Sequence, residues 1–281
     1  MSRLVTQRIG FAFLAIMTVV VVLPIVLVVV EIVSQGLSAI TPEFLTEAPR
    51  DGMRAGGIWP AIVGTFWLTI GTAIFSVPLG ISIAIYLSEY ARDNNFTRLI
   101  RLAIINLAGI PSVVYGLFGL GLFVLALQFG SSILAGSLTL SIMTMPVIIS
   151  TAEEALRSVP QSFRTVSVSL GGTKWQTIRK IVLPQALPGI LTGVILGLER
   201  AAGETAPILF TAAAFFLPQL PASIFDKTMA LPYHLFVIST QVPGMPVNIQ
   251  FGTALVLLVF VLSMNLIAAT IRSYYRRRRQ W

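Results

Sequence analysis

Three stretches between residues 151 and 207 decide the fold: TAEEALRSVP at 151–160, LGGTKW at 170–175 and ERAAGETAP at 199–207. The first two stretches belong to a polar loop that connects two apolar segments, and the third lies in the second of these segments. The second apolar segment carries Glu199, Arg200 and Glu204 where its hydropathy predicts lipid depth. We interpret the loop as a docking element and the charged segment as a functional site.

The composition of the whole chain predicts an all-α polytopic membrane protein. Of its 281 residues, 56% are hydrophobic and 11% charged, with a mean hydropathy of +0.88, whereas soluble domains contain about 25% charged residues. The net charge of +8 resides in short clusters between long uncharged runs, so it indicates membrane topology and no nucleic-acid binding. Because the chain has no cysteine and one histidine, we expect no disulfide, no metal centre and no cofactor bound by this chain.

Uncharged runs of membrane-crossing length predict about six transmembrane helices. The run at 102–152 is too long for one helix, and the turn signals at 130–132 and 136–137 divide it into two spans. The segment at 217–250 is expected to be an outer loop whose apolar middle, 229–238, lies on the membrane surface or closes the outer mouth. The expected spans are 9–30, 56–88, two within 102–152, 186–216 and 251–271.

The distribution of Lys and Arg predicts that both termini are cytoplasmic. This orientation places 15 of these residues inside, and only Arg50, Arg54 and Lys227 outside. We divide the chain into a first helix with its outer loop (1–57), a permease domain (58–275) with a cytoplasmic loop at 153–185, and a basic cytoplasmic tail (276–281). The tail either binds a partner or anchors the topology on anionic lipid, and the anchor is the favoured interpretation.

The loop at 153–185 is predicted to contain two helices joined at a glycine elbow, called the knob (161–182) below. Ser158 and Pro160 start the first helix, and Gly171-Gly172 stops it because glycine adopts left-handed dihedrals at little cost. Thr173-x-x-Gln176 is a capping box that starts the second helix. An amphipathic loop resting on lipid headgroups is the alternative, but it does not explain the elbow. The apolar residues expected on one face of each helix are Phe163, Val166 and Leu170, then Trp175, Ile178 and Val182.

The knob resembles the coupling loop of ABC importer permeases, in which Glu-Ala-Ala is followed after three residues by Gly and, nine residues later, by Ile-x-Leu-Pro. The Gly and the Ile-x-Leu-Pro are present at this spacing, but Thr165-Val166-Ser167 replaces Glu-Ala-Ala. The resemblance implies the transmembrane domain of a type I ABC importer and a docking surface for a cytoplasmic ATPase. The residues that it assigns to ATPase coupling are Phe163, Leu170, Gly171, Gly172, Trp175, Ile181, Leu183 and Pro184.

Other stretches resemble the permeases of phosphate-specific (Pst) ABC importers: GIPSVVYG at 109–116, MPVI at 145–148, the run at 153–160, and AGETAP at 202–207, which is closer to the PstA-type subunit. The resemblance implies a bacterial inner-membrane complex with a PstC-like sister permease and an external PstS-like phosphate-binding protein. It also implies two PstB-like ATPase subunits that bind ATP and Mg²⁺. LGGTK at 170–174 lacks the spacing of a phosphate loop, so this chain is not expected to be an enzyme.

The charged segment is predicted to form one stripe on a helix. At 100° per residue, Gly189, Gly193, Gly197, Arg200 and Glu204 fall within about 80° of one another. Glycines at every fourth residue allow another helix to approach closely, and Arg200 and Glu204 are spaced to pair. Three charges at bilayer depth cost about 8–10 kcal/mol, whereas the neighbouring apolar residues return about 3–5 kcal/mol. This span is therefore expected to be enclosed by protein.

The planar fork of arginine suits phosphate oxygens, so the stripe is a candidate substrate pathway. A packing pair without a transport role is the alternative for Arg200 and Glu204, and the polar residues of the third span are equally candidates for interhelical contacts. A sulfate or molybdate permease, and a proton-coupled carrier that uses Glu199 and Glu204, remain alternative functions. A membrane enzyme is disfavoured because no nucleophile-base or metal-ligand cluster occurs. The proposed pathway residues are Arg200, Glu204, Glu199, Thr205, Asn106, Ser112 and Tyr115.

Overall fold

The computed structural model describes residues 3–277, and the surroundings of the side chains at 7–274. A short antiparallel hairpin pairs β1 (Pro49–Arg50) with β2 (Ala55–Gly56). π-helical turns occur at Tyr86–Tyr90, Leu120–Ala126 and Ile178–Val182. The α-helices are α1 (Arg3–Gly36), α2 (Pro42–Thr46), α3 (Trp59–Ile85), α4 (Asn95–Ala108), α5 (Ser112–Gly119), α6 (Ile133–Arg157), α7 (Gln161–Ser169), α8 (Lys174–Thr177), α9 (Leu183–Gly203), α10 (Ala206–Thr211), α11 (Leu231–Thr240) and α12 (Val247–Arg277).

Five helical segments within residues 3–277 are long and apolar enough to cross a membrane. A sixth crossing results if α4 and α5, with the π-helical turn after α5, are taken together as one bent span. The predicted all-α fold with about six spans is therefore confirmed. The five segments are Gln7–Ala39, Trp59–Tyr90, Ile133–Arg157, Lys174–Gly203 and Val247–Tyr274.

The third predicted span is broken. Asn95–Ala108 and Ser112–Ala126 meet at an angle of 103°. Pro111 has no N–H to donate, and the residue before a proline is disfavoured in the helical conformation, so the first helix ends before it. The Tyr115 hydroxyl donates a hydrogen bond of 2.7 Å to the Leu107 carbonyl across the corner. The sequence predicted two spans within 102–152 but not the bend in the first of them.

Helices α3, α6 and α9 pack together at the centre of the bundle, with small residues at their contacts. A Cβ atom added at Gly193 would lie 2.6 Å from the Cβ of Thr151 on α6. The close approach predicted for the glycine stripe is therefore present, and it is α6 that approaches. The equivalent contacts are Gly189 with Ala155 at 2.5 Å and Gly197 with Ile148 at 3.0 Å.

The knob marks one end of the bundle, called the knob end below. A Cβ atom at Gly36 would lie 2.6 Å from the Phe251 carbonyl oxygen, so the end of α1 lies beside the start of α12. Near its other end, α12 places Arg272 within 3.5 Å of Thr192 Oγ1, in the half of α9 that is nearer the knob. The start of α1 and the end of α12 therefore both lie at the knob end. Residues 278–281 of the predicted basic tail lie outside the described residues.

The fifth span begins and ends earlier than predicted. α8 continues through the π-helical turn at Ile178–Val182 into α9, so the apolar helical segment runs from Lys174 to Gly203. Pro207 cannot donate to the Gly203 carbonyl and its ring would clash there, which ends the helix. Glu204 is extended, with φ −77° and ψ 136°, and the short helix α10 follows the break. The predicted continuous helix to residue 216 is wrong.

The apolar middle of the 217–250 segment forms α11 and is packed inside the bundle. Leu231, Val237 and Ile238 are fully buried, and the Leu231 N–H donates to Thr65 Oγ1 of α3 at 2.8 Å. At the α6 end opposite the knob, the Ile133 N–H donates to the Asp226 carbonyl at 2.9 Å. Of the two positions expected for this segment, the membrane surface is therefore wrong, because the segment is buried against α3. Closure of the outer mouth stays a prediction.

Candidate functional site

The knob has the predicted helix-elbow-helix form. Gly171 has φ +83°, in the left-handed region. The Gly172 N–H donates to the Ser167 carbonyl at 3.0 Å and the Gly171 N–H to the Val168 carbonyl at 2.9 Å, the two bonds of a Schellman motif that ends α7. Inside the elbow, Ser167 Oγ and Thr177 Oγ1 lie 2.7 Å apart and are buried. The two short helices are therefore fixed relative to each other.

The second helix of the knob begins at the predicted capping box. The Gln176 N–H donates to Thr173 Oγ1 at 3.3 Å, and the Thr173 N–H donates to Gln176 Oε1 at 2.9 Å. This reciprocal pair satisfies two backbone donors that a helix start otherwise leaves unpaired. The start of α8 is thus set by local sequence, directly after the glycine elbow.

Part of the outer surface of the knob is apolar. Leu170 is 83% exposed at the elbow, and Val166, Val168 and Trp175 are each more than half exposed. Grouped apolar side chains on a protruding element are typical of a surface that a partner covers. Phe163, which we expected on the same face, instead packs into an apolar cluster inside the permease. That cluster consists of Ala84, Leu87, Ile149, Ala152, Leu156, Val159, Val182, Ala186 and Ile190.

The Ile-x-Leu-Pro stretch joins the knob to α9. Leu183 packs against the same apolar cluster, and Ile181 is half-buried. Pro184 lacks an N–H and its ring would clash with a carbonyl one turn earlier in a regular helix. The wider π-helical turn at Ile178–Val182, closed by a bond from the Leu183 N–H to the Ile178 carbonyl, accommodates the proline without ending the helix. These residues therefore shape the base of the knob.

An ion pair that sequence reasoning missed fastens the knob to the end of α3. Arg164 Nη2 lies 2.7 Å from Glu89 Oε1, and Arg164 Nε lies 3.3 Å from Glu89 Oε2. The side chains are 15% and 8% exposed. No local signal identifies this pair, because 75 residues separate its members. A cavity of about 590 Å³ adjoins the pair between the knob and the α3 end.

A second cluster of charges lies at the same end. Glu153 of α6 binds Arg101 of α4 and Arg157 of α6, each at 2.9 Å. Arg101 also donates to the Leu87 carbonyl at 2.9 Å and pairs with Asp93 at 3.2 Å. The Glu153 side chain is 13% exposed. From the sequence these arginines indicated only topology, whereas in the structure Arg101 joins α4 to α6.

The charged segment places Arg200 and Glu204 at the break after α9. Arg200 Nε lies 3.3 Å from Glu204 Oε1, and the side chains are 36% and 18% exposed. Arg200 belongs to the last turn of α9, where a cation complements the unpaired carbonyls of the helix end. Pro207 creates the break, and the ion pair stabilises it. The pairing expected from the four-residue spacing is present.

The break lies near the middle of the bundle. Gly197 packs opposite Ile148 and Thr144, close to the midpoint of α6. α5 meets the break, because a Cβ atom at Gly116 would lie 3.0 Å from the Ala206 carbonyl oxygen. Tyr115 of the same helix is buried, and its hydroxyl bonds Leu107. Arg200 therefore presents a partly exposed guanidinium at mid-depth, beside α5.

The remaining predicted pathway residues do not gather around Arg200. Glu199 faces α12 and lines a crevice of about 70 Å³ with Asn265 and Arg272. One of its carboxylate oxygens is buried without a hydrogen-bond partner among the described residues. Thr205 lies half-buried at the break, and Ser112 is half-buried at the start of α5. Asn106 is exposed on α4, so of these four only Thr205 lies at the break itself.

These features define a polytopic membrane protein with a protruding knob at one end and a charged break at mid-depth. Residues 76–281 match the family model described as binding-protein-dependent transport system inner membrane component. The chain belongs to this family, and it is a membrane permease subunit of the ABC importer class.

Individual relatives cover almost the whole chain. The phosphate transport system permease protein PstA 1 of Mycobacterium tuberculosis is 33% identical over 100% of this chain and 92% of its own length. The probable ABC transporter permease protein YqgI of Bacillus subtilis is 31% identical over 95% of each chain. A bacterial ABC transporter involved in the import of the acidic polysaccharide alginate has a matching fold, with a TM-score of 0.64, 14% identity, and coverage of 96% of this chain and 99% of that chain. The type I importer fold is therefore confirmed.

Proposed function

We propose that this chain is the PstA-type permease subunit of an ATP-driven importer that moves inorganic phosphate into the cytoplasm by alternating access. The observation that carries the proposal is the partly exposed Arg200 guanidinium, held by Glu204 at a helix break in the middle of the bundle. Similarity to PstA phosphate transport permeases over most of the chain supports phosphate as the cargo.

Arg200 has the chemistry that a passing phosphate requires. A guanidinium donates two parallel hydrogen bonds to oxyanions, and its charge persists at any physiological pH. Glu204 holds the guanidinium in place and competes with the anion for it, so that phosphate binds weakly enough to be released. Thr205, at the same break, supplies a further hydroxyl. Glu199 is assigned to the α12 contact and not to the phosphate path.

The knob is the proposed docking point for a cytoplasmic ATPase, which binds ATP and Mg²⁺ and hydrolyses the nucleotide. Its exposed apolar surface at Val166, Leu170 and Trp175 supports this assignment. With the knob in the cytoplasm, both described ends of the chain are cytoplasmic too. A PstC-like sister permease, two PstB-like ATPase copies and an external PstS-like phosphate-binding protein complete the proposed complex in the bacterial inner membrane.

The test is uptake of radiolabelled phosphate by a strain without other phosphate importers that expresses this chain with its proposed partner subunits. We expect uptake that excess sulfate or molybdate does not reduce, and that stops when the phosphate loop of the ATPase is inactivated. Competition by sulfate or molybdate would assign a different oxyanion. Uptake that persists without ATP hydrolysis but stops with a protonophore would assign a proton-coupled carrier instead.

A further inference from the structure

We propose that Glu89 and Arg164 form a clamp through which movement of the knob is transmitted to α3. This inference rests on the proposed docking of an ATPase at the knob. The clamp makes Arg164 and Glu89 positioning residues for transport, although neither lies near the charged break.

The geometry of Arg164 is that of a fully engaged side chain. Besides its two bonds to Glu89, Arg164 Nη1 donates to the Val159 carbonyl at 2.7 Å and Nη2 donates to the Leu156 carbonyl at 2.9 Å. One guanidinium thus joins α7 to the end of α6 and to the π-helical turn that follows α3. A planar fork with several fixed acceptors permits little rotation of α7.

The remainder of α7 is uncharged. Arg164 is the single charged residue in Gln161–Ser169, and it is directed into the permease. Thr165, which stands where the coupling-loop pattern has Glu, is exposed, and its hydroxyl bonds the Gln161 carbonyl of its own helix. α7 therefore uses its charge for an internal attachment and presents an uncharged surface outward.

Chain connectivity alone does not attach the knob to α3. α7 follows α6 and leads through α8 into α9, whereas Glu89 is 75 residues from Arg164 in sequence. Other contacts join the same elements as well. Leu87 and Phe163 share an apolar cluster, and Lys174 Nζ lies 4.8 Å from the centre of the Tyr90 ring. Apolar packing is non-directional and the lysine contact is a single point, so the bidentate pair is the contact that fixes orientation.

The burial of the pair makes this role testable. Taking one partner away leaves a charge at a site that is only 8–15% exposed, which is unfavourable because that charge has lost its compensation. The apolar cluster remains, so the knob is expected to stay folded but to lose its fixed orientation relative to α3. An ATPase then still docks and hydrolyses ATP, but less of its movement reaches the transmembrane helices.

The experiment compares Arg164→Gln and Glu89→Gln in the complete complex reconstituted in proteoliposomes, with phosphate transported per ATP hydrolysed as the measurement. We expect ATPase association to persist and the transport-to-ATP ratio to fall about tenfold, within the usual range of coupling between sites. Arg164→Lys should restore part of the ratio, because it keeps the charge. Arg157→Gln is the matched control, since that arginine forms a more exposed ion pair within α6 alone. An unchanged ratio in both Gln variants would overturn the proposal.

A cross-linking experiment tests the clamp if the single variants assemble poorly. Since the chain contains no cysteine, Glu89→Cys with Arg164→Cys provides a unique pair for a short bifunctional maleimide. The bridged complex should recover a high ratio relative to the unbridged one, and no recovery on bridging would contradict the clamp. Single-cysteine variants control for reaction elsewhere. A wild-type complex that hydrolyses ATP without moving phosphate would refute the proposed cargo. In that case the clamp is tested by a second measurement, the change in ATP hydrolysis when the external binding protein is added.

Discussion

Exchange of Arg200 and Glu204 separates a transport role from a packing role, because the ion pair survives while the guanidinium moves. Four residues advance about 6 Å along a helix, and residue 204 lies just beyond the end of α9. A hydrogen bond to a charged group contributes about 1.5–3 kcal/mol, so moving the fork away from the anion should slow phosphate uptake about 10- to 150-fold. The exchange keeps opposite charges at the two positions and leaves no unpaired charge, so the exchanged subunit should still assemble.

The assay is phosphate uptake in cells matched for membrane-inserted subunit, with the external binding protein held at a constant level. Arg200→Lys should be impaired as well, because an ammonium cannot donate bidentately. Arg272→Lys is the matched control, since Arg272 lies on α12 and donates to Thr192 Oγ1 at 3.5 Å, in the half of α9 that is nearer the knob and away from the break. Uptake by the Arg200→Glu, Glu204→Arg double variant within about threefold of wild type, less than 1 kcal/mol of barrier, would refute substrate contact by Arg200.

Three further predictions address the knob, the topology and the buried histidine. Gly171→Val should abolish phosphate uptake and ATPase association while Gly171→Asn retains both, because asparagine tolerates the left-handed backbone found at φ +83°. Equal ATPase association of the two variants in a pull-down would contradict the need for a left-handed residue at the elbow. Reporters active only outside the cytoplasm should work at Asp51 and Asp226 and fail at Asn94 and Lys174, and activity at Lys174 would refute the orientation. Burial lowers the pKa of His234 in α11 from 6.5 to about 4. Unfolded chains therefore bind a proton below pH 6.5 that folded chains exclude, and stability should fall as pH decreases from 6.5 to 4. Thermal inactivation of His234→Leu should depend less on pH in that window, and a pH dependence identical to that of the wild type would contradict this assignment.

Local sequence was sufficient to predict the knob. Its elbow and caps depend on contacts between residues at most ten apart, such as Thr173 with Gln176 and Gly172 with Ser167. The glycine stripe was also predicted from local sequence, because a period of about four residues places small side chains on one helix face. For the knob and for the glycine stripe, a few residues close together in sequence determine the local backbone structure.

The sequence did not reveal features that depend on distant partners or on backbone breaks. The Glu89–Arg164 pair requires the knob to fold back onto the end of α3, so neither residue identifies the other in advance. α11 is buried by packing against distant parts of the chain, including a hydrogen bond from the Leu231 N–H to Thr65, and its apolar sequence alone is equally typical of a surface segment. Pro207 was visible within AGETAP, but hydropathy continued past it, and the span was therefore predicted as one helix.

The early end of the fifth span gives the two sites a physical connection. The segment from Lys174 to Gly203 is 30 residues long, or about 45 Å at helical rise, and it leads from the knob to the ion pair at the break. The π-helical turn lets this segment pass Pro184, whereas Pro207 ends it directly after Arg200 and before the protein reaches the opposite face. A continuous helix would carry movement of the knob past the centre of the bundle. Because the helix stops at Gly203, the proposed movement of the knob would act first at the Arg200–Glu204 pair. A change in the separation of these two side chains would then change how readily the guanidinium binds an anion.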